Sequence, residues 1–332
     1  MRHRLDELVA PVVLVVAAAL LGSLVSISTQ TYFTDTLVKV SIVVALYLFI
    51  GNSGVLSFGH VSFVALGAWT AGVLSVPTTE KGAIMPGLWH FLLKAHAGNV
   101  ASLALAALVG GIAAFVVGIP LMRLSGLAAG IATFAVLEIT YNVLQYEGRI
   151  GPGLNAFSSV PETTGLRQAA LGALACIVVA FAYGRSRFGR LLRATREDDA
   201  AARAVGTSVY HQRLVAFTLS GFLAGLAGGL YVHLLPLNID SLHLDLTFLT
   251  LAMLVVGGAT SLFGAVVGAL AVGALDSWLA VAENGTSLLG WHIDLTAGTR
   301  EIVVGVLMAA VLILRPAGLT GGRELRLRVR RT

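Results

Sequence analysis

Long apolar stretches separated by short polar ones fill this 332-residue sequence and restrict its fold more than any other feature. A helix needs about 20 mostly apolar residues to cross a membrane. Ten candidate segments can be recognised, at residues 9–27, 37–50, 55–75, 99–121, 125–145, 168–184, 213–235, 246–258, 262–281 and 298–314. The sequence therefore predicts an all-α polytopic membrane protein with about ten, and no fewer than eight, transmembrane segments.

The composition excludes several functional classes. Apolar residues make up 57% of the chain and charged residues only 12%, whereas soluble domains carry about 25% charged residues. A soluble enzyme, a nucleic-acid-binding domain and a disordered regulator are therefore excluded. A single cysteine, Cys176, rules out an internal disulfide and a cysteine-based metal cluster. No nucleotide-binding P-loop and no zinc-ligand spacing occurs, so we expect no enzyme activity, metal or cofactor in this chain.

The positive charges predict the orientation, because lysine and arginine concentrate in cytoplasmic loops. If the N-terminus lies inside and the chain crosses ten times, all but six of the 22 lysines and arginines fall on the cytoplasmic side. The six exceptions are Lys39, Lys81, Lys94, Arg149, Arg167 and Arg300. We therefore predict both termini inside, with eight crossings as the alternative to ten. Arg2 and Arg4 before the first apolar segment give a pattern that resembles a signal peptide. The segment is interpreted as an uncleaved first helix.

No polar stretch is long enough to fold alone, so residues 1–332 are predicted to form a single transmembrane domain. Its main polar parts are a cytoplasmic loop, 185–212, and a basic cytoplasmic tail, 315–332. A solvated tail after the last span explains the arginines at the C-terminus, and contact with anionic lipid is the alternative.

Glycine-rich breaks join two neighbouring pairs of segments, at 51–54 and 257–261. They are interpreted as two glycine-interrupted helices, a feature that marks the pathway in many transporters. Ionisable residues inside spans are functional candidates as well. The candidate pathway residues are Gly51, Asn52, Gly54, Ser57, His60, Glu138, Gly257 and Gly258. Hydrogen bonding inside the bundle is the alternative, equally weighted for His60 and Glu138 and favoured for Asp276 near the outer end of its span.

The 185–212 loop predicts a short helix over 195–206. Thr195 stands where an N-cap is expected, acidic residues fill the first turn, and Gly206 can stop the helix. A short capped helix with an alanine face can insert into the groove of a partner protein, and this interpretation is favoured over a solvated linker.

Four stretches resemble one family. They are DDAAARAVG at 198–206 with the glycine-rich run at 213–228, GNSGVLSFGHVSFVALGAW at 51–69, LSGLAAGIAT at 124–133, and VVGGATSLFGAVVGA at 255–269. Together they resemble the permease subunits of branched-chain amino acid ABC importers, the LivM-type subunit more closely than its LivH-type partner. Asp199 stands where the family usually has glutamate.

The resemblance implies a permease that performs no chemistry itself. It would be a multi-pass protein of the bacterial inner membrane, working with two ABC ATPase subunits that bind ATP, a LivH-like permease, an extracytoplasmic binding protein and membrane lipid. It involves no nucleic acid. The helix at 195–206 would dock on an ATPase subunit. Its coupling residues would be Glu197, Asp198, Asp199, Ala201, Ala202 and Gly206.

Glycines four residues apart predict close helix packing. They are Gly221, Gly225 and Gly229 in one segment, and Gly264 and Gly268 in another. Packing inside the bundle is favoured over packing on a partner permease.

Three other interpretations stay open. The same machine could carry urea, short amides or pentoses. An ion-gradient-driven carrier could use Glu138 or Asp276 as its proton-binding group. A membrane scaffold without transport is the third, and the capped helix in the 185–212 loop favours the importer over it.

Overall fold

A computed structural model describes residues 6–153, 155–157, 159–283, 286–288, 291–293, 296 and 298–325. The helices are α1 Asp6–Ser23, α2 Ile27–Ser53, α3 His60–Ser75, α4 Thr78–Ile84, α5 His90–Lys94, α6 Asn99–Leu121, α7 Gly126–Tyr146, α8 Leu166–Arg185, α9 Arg187–Glu197, α10 Asp199–Ala204, α11 Val209–Val232, α12 Leu244–Gly257, α13 Leu262–Glu283 and α14 Thr299–Leu314. A 3₁₀ turn, Asp240–Leu242, precedes α12.

The prediction of a helical multi-pass protein is confirmed. Within the described residues, seven stretches are long and apolar enough to cross a membrane: Ile27–Ser53, Asn99–Leu121, Gly126–Tyr146, Leu166–Arg185, Val209–Val232, Asp240–Gly257 and Leu262–Glu283. Helices α3 and α4 meet the same criteria only together, and they are bent by 120°. One small exception to the helical fold is a hairpin in which Thr286–Leu288 pairs antiparallel with Trp291–Ile293.

Helix α11 forms the centre of the bundle and packs against α2, α3 and α6. Small residues bring these backbones together. A Cβ atom added to Gly110 of α6 would lie 2.6 Å from the carbonyl oxygen of Gly221 in α11. Any larger side chain at this crossing would push the two helices apart, because close approach in a membrane bundle depends on small residues.

The helix ends gather at two opposite ends of the bundle. At one end, the last turn of α2 meets α9 through Arg196 and Gly51, and the last turn of α8 meets the start of α1 through Arg185 and Glu7. We call this the α9 end. At the opposite end, Trp89 before α5 bonds to the chain just after α7.

The two glycine-rich breaks are turns between helices, so the prediction of two interrupted helices is wrong. Gly54 has φ of 70° and its N–H bonds to Ile50, which ends α2. Helix α2 runs antiparallel to α11, where Ser220 bonds to the carbonyl of Ala45, whereas α3 runs parallel to it. A left-handed glycine ends a helix and lets the chain change direction, and residues 54–59 complete the reversal.

The second break forms the tight turn of a hairpin. Helices α12 and α13 lie against each other with Gly268 facing Met253 and Gly257. The predicted short segment 37–50 is also corrected, since α2 begins ten residues earlier, at Ile27. Its first turns contain charged residues, and those charges are neutralised by neighbours in the bundle, as described below.

Candidate functional site

The loop between α8 and α11 contains two helices rather than one. Helix α9 continues to Glu197, and Thr195 lies buried within it with its hydroxyl donating to the carbonyl of Leu192 at 2.7 Å. Asp198 is the N-cap of α10, because its carboxylate accepts the amide N–H of Ala201 at 2.9 Å. The prediction that Thr195 caps the helix is therefore wrong, since Asp198 is the residue that leaves the helical conformation.

Helix α10 lies on the surface of the α9 end. Ala202 is buried, and Asp199 pairs with Arg203 one turn later at 2.8 Å. The helix ends at Ala204, and Gly206, which was predicted to stop it, follows two residues later with φ of 81°. Its exposed residues include Ala200, Ala201, Ala204 and Val205. A short apolar surface is therefore presented away from the bundle.

Two arginines of α9 join the loop to the end of α2. Arg196 donates to the carbonyl of Gly51 at 2.6 Å, and Arg193 donates to the Oδ1 atom of Asn52 at 3.0 Å. The last carbonyls of a helix have no partner within the helix and carry partial negative charge, so they attract cations. Gly51 and Asn52 were predicted from the sequence as candidate residues. The two arginines were not, although their spacing of three residues places them on one helix face.

A cavity of about 600 Å³ opens beside this contact at the α9 end. Its polar lining includes Glu7, Tyr47, Arg185, Arg190, Arg193 and Glu324. Arg185 is neutralised by Glu7 at 2.7 Å. The cavity therefore has a polar wall with charges of both signs, at the point where α9 meets the spanning helices.

The start of the tail folds back over the turn between α12 and α13. The carboxylate of Glu324 accepts the N–H groups of Leu262 at 2.6 Å and Phe263 at 3.2 Å, the first amides of α13. Burial raises the pKa of Glu324, although these two hydrogen bonds act in the opposite direction. The prediction of a solvated tail is therefore corrected at Gly318, Thr320 and Glu324, which contact this turn, while most other residues of 315–325 are exposed. Residues 326–332 lie outside the described part.

The same segment covers two predicted pathway residues. Thr320 donates its hydroxyl to the carbonyl of Gly257 at 2.8 Å, and Gly258, at φ of 119°, lies against Gly318. Contacts within the chain thus surround both glycines at the α9 end.

His60 lies in the hydrophobic core. Its ring is 2% exposed, its Nδ1 atom lies 2.8 Å from the hydroxyl of Ser57, and it packs among Phe49, Phe63 and Phe217. The geometry favours the alternative in which these two polar residues bond to each other inside the bundle.

Glu138 has a different setting. Its side chain is 37% exposed on α7, and Oε1 accepts a hydrogen bond from His243 Nε2 at 2.9 Å. The His243 ring stacks on Tyr141 with the centroids 4.0 Å apart, and Tyr141 donates to Asp240 at 2.6 Å. The fold brings together residues about 100 positions apart, so the sequence alone could not identify these partners.

Asp276 belongs to a buried ionic cluster. Its carboxylate pairs with Lys39 at 2.9 Å and with Arg300, and Lys39 also pairs with Asp35 at 2.6 Å. Asp276 and Lys39 are 2% and 4% exposed. The cluster links α2, α13 and α14, in keeping with internal bonding of Asp276.

The remaining predicted residues lie inside the bundle. Each predicted packing glycine faces another segment of the same chain: Gly221, Gly225, Gly229, Gly264 and Gly268. Cys176 is buried. Among the described residues, no group of three or more His, Cys, Asp or Glu side chains is arranged to hold a metal ion.

Comparison with known proteins identifies one family. The family model described as the permease component of branched-chain amino acid transport systems matches residues 28–312. The high-affinity branched-chain amino acid transport system permease protein LivM of Escherichia coli K12 is 26% identical over 343 residues, which cover 93% of this chain and 73% of that protein. No solved structure matches the chain significantly.

Two further relatives match shorter parts of the chain. The probable branched-chain amino acid transport permease protein LivH of Methanocaldococcus jannaschii is 30% identical over 145 residues, covering 41% of this chain and 42% of its own length. The autoinducer 2 import system permease protein LsrC of Shigella flexneri is 29% identical over 147 residues, covering 43% of this chain and 42% of its own.

Proposed function

Because the chain belongs to the family of permease components of branched-chain amino acid transport systems, we propose that it carries branched-chain or other hydrophobic amino acids across the bacterial cytoplasmic membrane. It is a multi-pass membrane permease that works as a subunit of an ATP-driven importer. The chain forms the pathway with a second, LivH-like permease. Two separate ATPase subunits bind the ATP, so this chain needs no ATPase site, and an extracytoplasmic binding protein delivers the cargo.

The chain crosses the membrane ten times, with both termini in the cytoplasm. Helices α1, α3 and α14 are not among the seven long apolar stretches, yet α1 and α14 begin or end beside the α9 end of the bundle. Glu7 of α1 and the tail after α14 lie there together with the arginine-rich loop. This arrangement supports an even number of crossings, and the arginines support a cytoplasmic position for the α9 end.

Helix α10 is the coupling helix that docks on an ATPase subunit. The observation that carries this proposal is its exposed, capped position on a loop that Arg193 and Arg196 fasten to α2. The acidic residues Glu197 and Asp199 would face the partner, with Ala201 and Gly206 giving a smooth surface. Movement of the ATPase would reach the spanning helices through α9.

The pathway proposal rests mainly on Glu138. The end of α2 moves with α9, and it contains Gly51, Asn52 and Gly54. The adjacent turn, which contains Gly257 and Gly258, moves with it. Ser57 and His60 support the connection between α2 and α3 from inside the core. Alternating access through rigid-body movement of these helices would carry the cargo across.

The test has two stages. First, the tagged chain is purified in mild detergent, and mass spectrometry identifies what accompanies it. ATPase subunits and a second permease are expected. Second, Asp199→Lys and Gly206→Val are introduced, and uptake and binding-protein-stimulated ATP hydrolysis are measured, with Arg187→Ala on α9 as an exposed control. Intact coupling in both variants would exclude α10 as the coupling helix.

A second candidate cargo is supported by the partial similarity to the autoinducer 2 import permease, since this family also serves other cargo. Urea, short amides and pentoses belong to the same alternative. The ligand of the associated binding protein, measured by calorimetry, distinguishes them. Uptake that an uncoupler abolishes, without any ATPase partner, would instead indicate an ion-gradient-driven carrier.

A further inference from the structure

Helix α7 carries an ionisable residue on its exposed face. The exposed residues around it include the apolar Ile131, Phe134, Ile139 and Val143 and the polar Asn142, one turn after Glu138. Glu138 lies among them in the middle of the helix with its side chain 37% exposed. A carboxylate facing acyl chains is costly, and such residues normally face protein or a water-filled cavity. This face of α7 therefore borders the pathway or another membrane subunit rather than lipid.

The carboxylate is held in one orientation. His243 binds Oε1 at 2.9 Å, and the His243 ring is fixed by stacking on Tyr141. Tyr141 in turn bonds to Asp240 and accepts a hydrogen bond from Gln145 at 3.1 Å. Within the described residues, no hydrogen bond uses the Oε2 atom of Glu138, so that atom can accept one from a ligand.

Three phenylalanines form a cluster that reaches the Glu138 face of α7 through Phe134. Phe58 packs edge-on against Phe134 and Phe248, with ring centroids 6.5 Å apart in both pairs. Phe134 lies one helical turn before Glu138, so the two share a face of α7. Phe134 and Phe248 are 36% and 50% exposed. An open aromatic surface thus adjoins an anchored anionic group.

The glycine-rich loop at 54–59 places Phe58 there. The Phe58 N–H donates to the hydroxyl of Thr133 at 3.2 Å. A Cβ atom added to Gly59 would lie 2.5 Å from the Thr133 carbonyl oxygen, so only glycine allows this approach to α7. The loop therefore positions one aromatic ring against the exposed face of α7.

We propose that Glu138, Phe58, Phe134 and Phe248 form a transit site for a hydrophobic amino acid. The Glu138 carboxylate accepts the hydrogen bonds of the substrate α-ammonium group, and the three rings receive the aliphatic or aromatic side chain. The proposal rests on the proposed function and names the chemistry of recognition within that pathway.

The composition of the site selects this substrate class. An ammonium group binds both a carboxylate and the faces of aromatic rings. A sugar or an amide would need several neutral side chains free to bond to it, whereas the side chains of His243, Tyr141 and Asn142 next to Glu138 already bond within the chain. The site is open on the exposed side of α7, which suits a substrate that must leave quickly.

The test uses the whole importer with its binding protein in proteoliposomes, and measures uptake of leucine, valine and phenylalanine together with ATP hydrolysis. Glu138→Gln can still accept the hydrogen bond from His243, so a purely structural role would leave uptake intact. A lost hydrogen bond to a charged group predicts that leucine uptake falls about tenfold or more. Stimulation of ATP hydrolysis by the loaded binding protein should stay within about twofold of wild type, because the coupling helix is untouched.

The aromatic surface is tested separately with Phe134→Leu and Phe248→Leu, which keep an apolar side chain. They should change the ratio of phenylalanine to valine uptake. Glu147→Gln after α7 and Phe115→Leu on the exposed face of α6 are the matched controls and should transport normally.

Unchanged uptake in Glu138→Gln, unchanged cargo ratios in both phenylalanine variants, or loss of stimulated ATP hydrolysis together with uptake would overturn the site. Absence of ATP-driven uptake by the wild-type importer would instead overturn the proposed function.

Discussion

Lys39 shows how a charged side chain is accommodated inside a spanning helix. It lies between Asp35 and Asp276, and Asp276 also binds Arg300. Removing one partner of a buried ion pair leaves an uncompensated charge, which costs about 3–5 kcal/mol. We therefore expect Lys39→Met to lower the thermal unfolding temperature of the purified chain in detergent markedly. Lys94→Met, at an exposed position, is the control. Equal unfolding temperatures for the two variants would contradict a structural role for the cluster.

Individual residues show where sequence reasoning reaches its limit. The sequence identifies Glu138 and Asp276 as unusual because an ionisable group within an apolar run is visible in one dimension. It favours internal bonding for Asp276, but it identifies neither the partners of Asp276 nor the 37% exposure of the Glu138 side chain, because both depend on distant residues. The N-cap is also ambiguous in the sequence, because Thr195 and Asp198 are both residue types that favour this position. Since α9 continues to Glu197, only Asp198 can cap the next helix.

Among the elements, α9 connects the surface helix α10 to the bundle, and its contact with α2 can be tested by mutation. Arg196→Ala removes the hydrogen bond to the Gly51 carbonyl at the end of α2. A hydrogen bond to a charged group contributes about 1.5–3 kcal/mol, so we expect uptake per ATP hydrolysed to fall by about tenfold. The measurement is uptake and ATP hydrolysis by the same reconstituted importer.

The control for that prediction is an arginine on the same helix. Arg187→Ala changes the charge equally, but at an exposed position at the start of α9. It should leave the ratio of uptake to hydrolysis unchanged. If both variants reduce the ratio alike, the positive charge of the loop matters and the contact with α2 does not.

At the scale of elements, the apolar pattern performs well wherever a helix is long. Each of the ten predicted segments corresponds to a helix, and the bounds of α6 were predicted to the residue. Helices α4, α5 and α9 were missed because they lie in polar stretches, where hydropathy carries no signal. The start of α2 was missed because its first turns include the polar residues Gln30, Thr34 and Asp35, which resemble a loop in the sequence.

For the whole molecule, the contacts define two separate regions. At the α9 end, α9 touches the end of α2, Gly51 lies close to Ala259 in the turn between α12 and α13, and the tail covers that turn. Glu138 and its neighbours lie elsewhere, on the exposed face of α7. If α10 is the coupling helix, a force on it would reach α2, α12 and α13 together, and Phe248 on α12 would then shift relative to Phe58 in the loop after α2.

The orientation of the whole molecule can be measured because the single cysteine, Cys176, is buried and should not react with a polar thiol reagent. Val205 at the α9 end is 81% exposed, whereas Leu24 and Phe91 at the opposite end are 82% and 64% exposed. With both termini inside and ten crossings, Leu24→Cys and Phe91→Cys should react with a membrane-impermeant maleimide in intact cells. Val205→Cys should react only after the membrane is permeabilised. Labelling at Leu24→Cys tests α1 in particular, because that helix is not among the seven long apolar stretches. Labelling of Val205→Cys in intact cells would reverse the orientation, and protection of Leu24→Cys there would reduce the number of crossings.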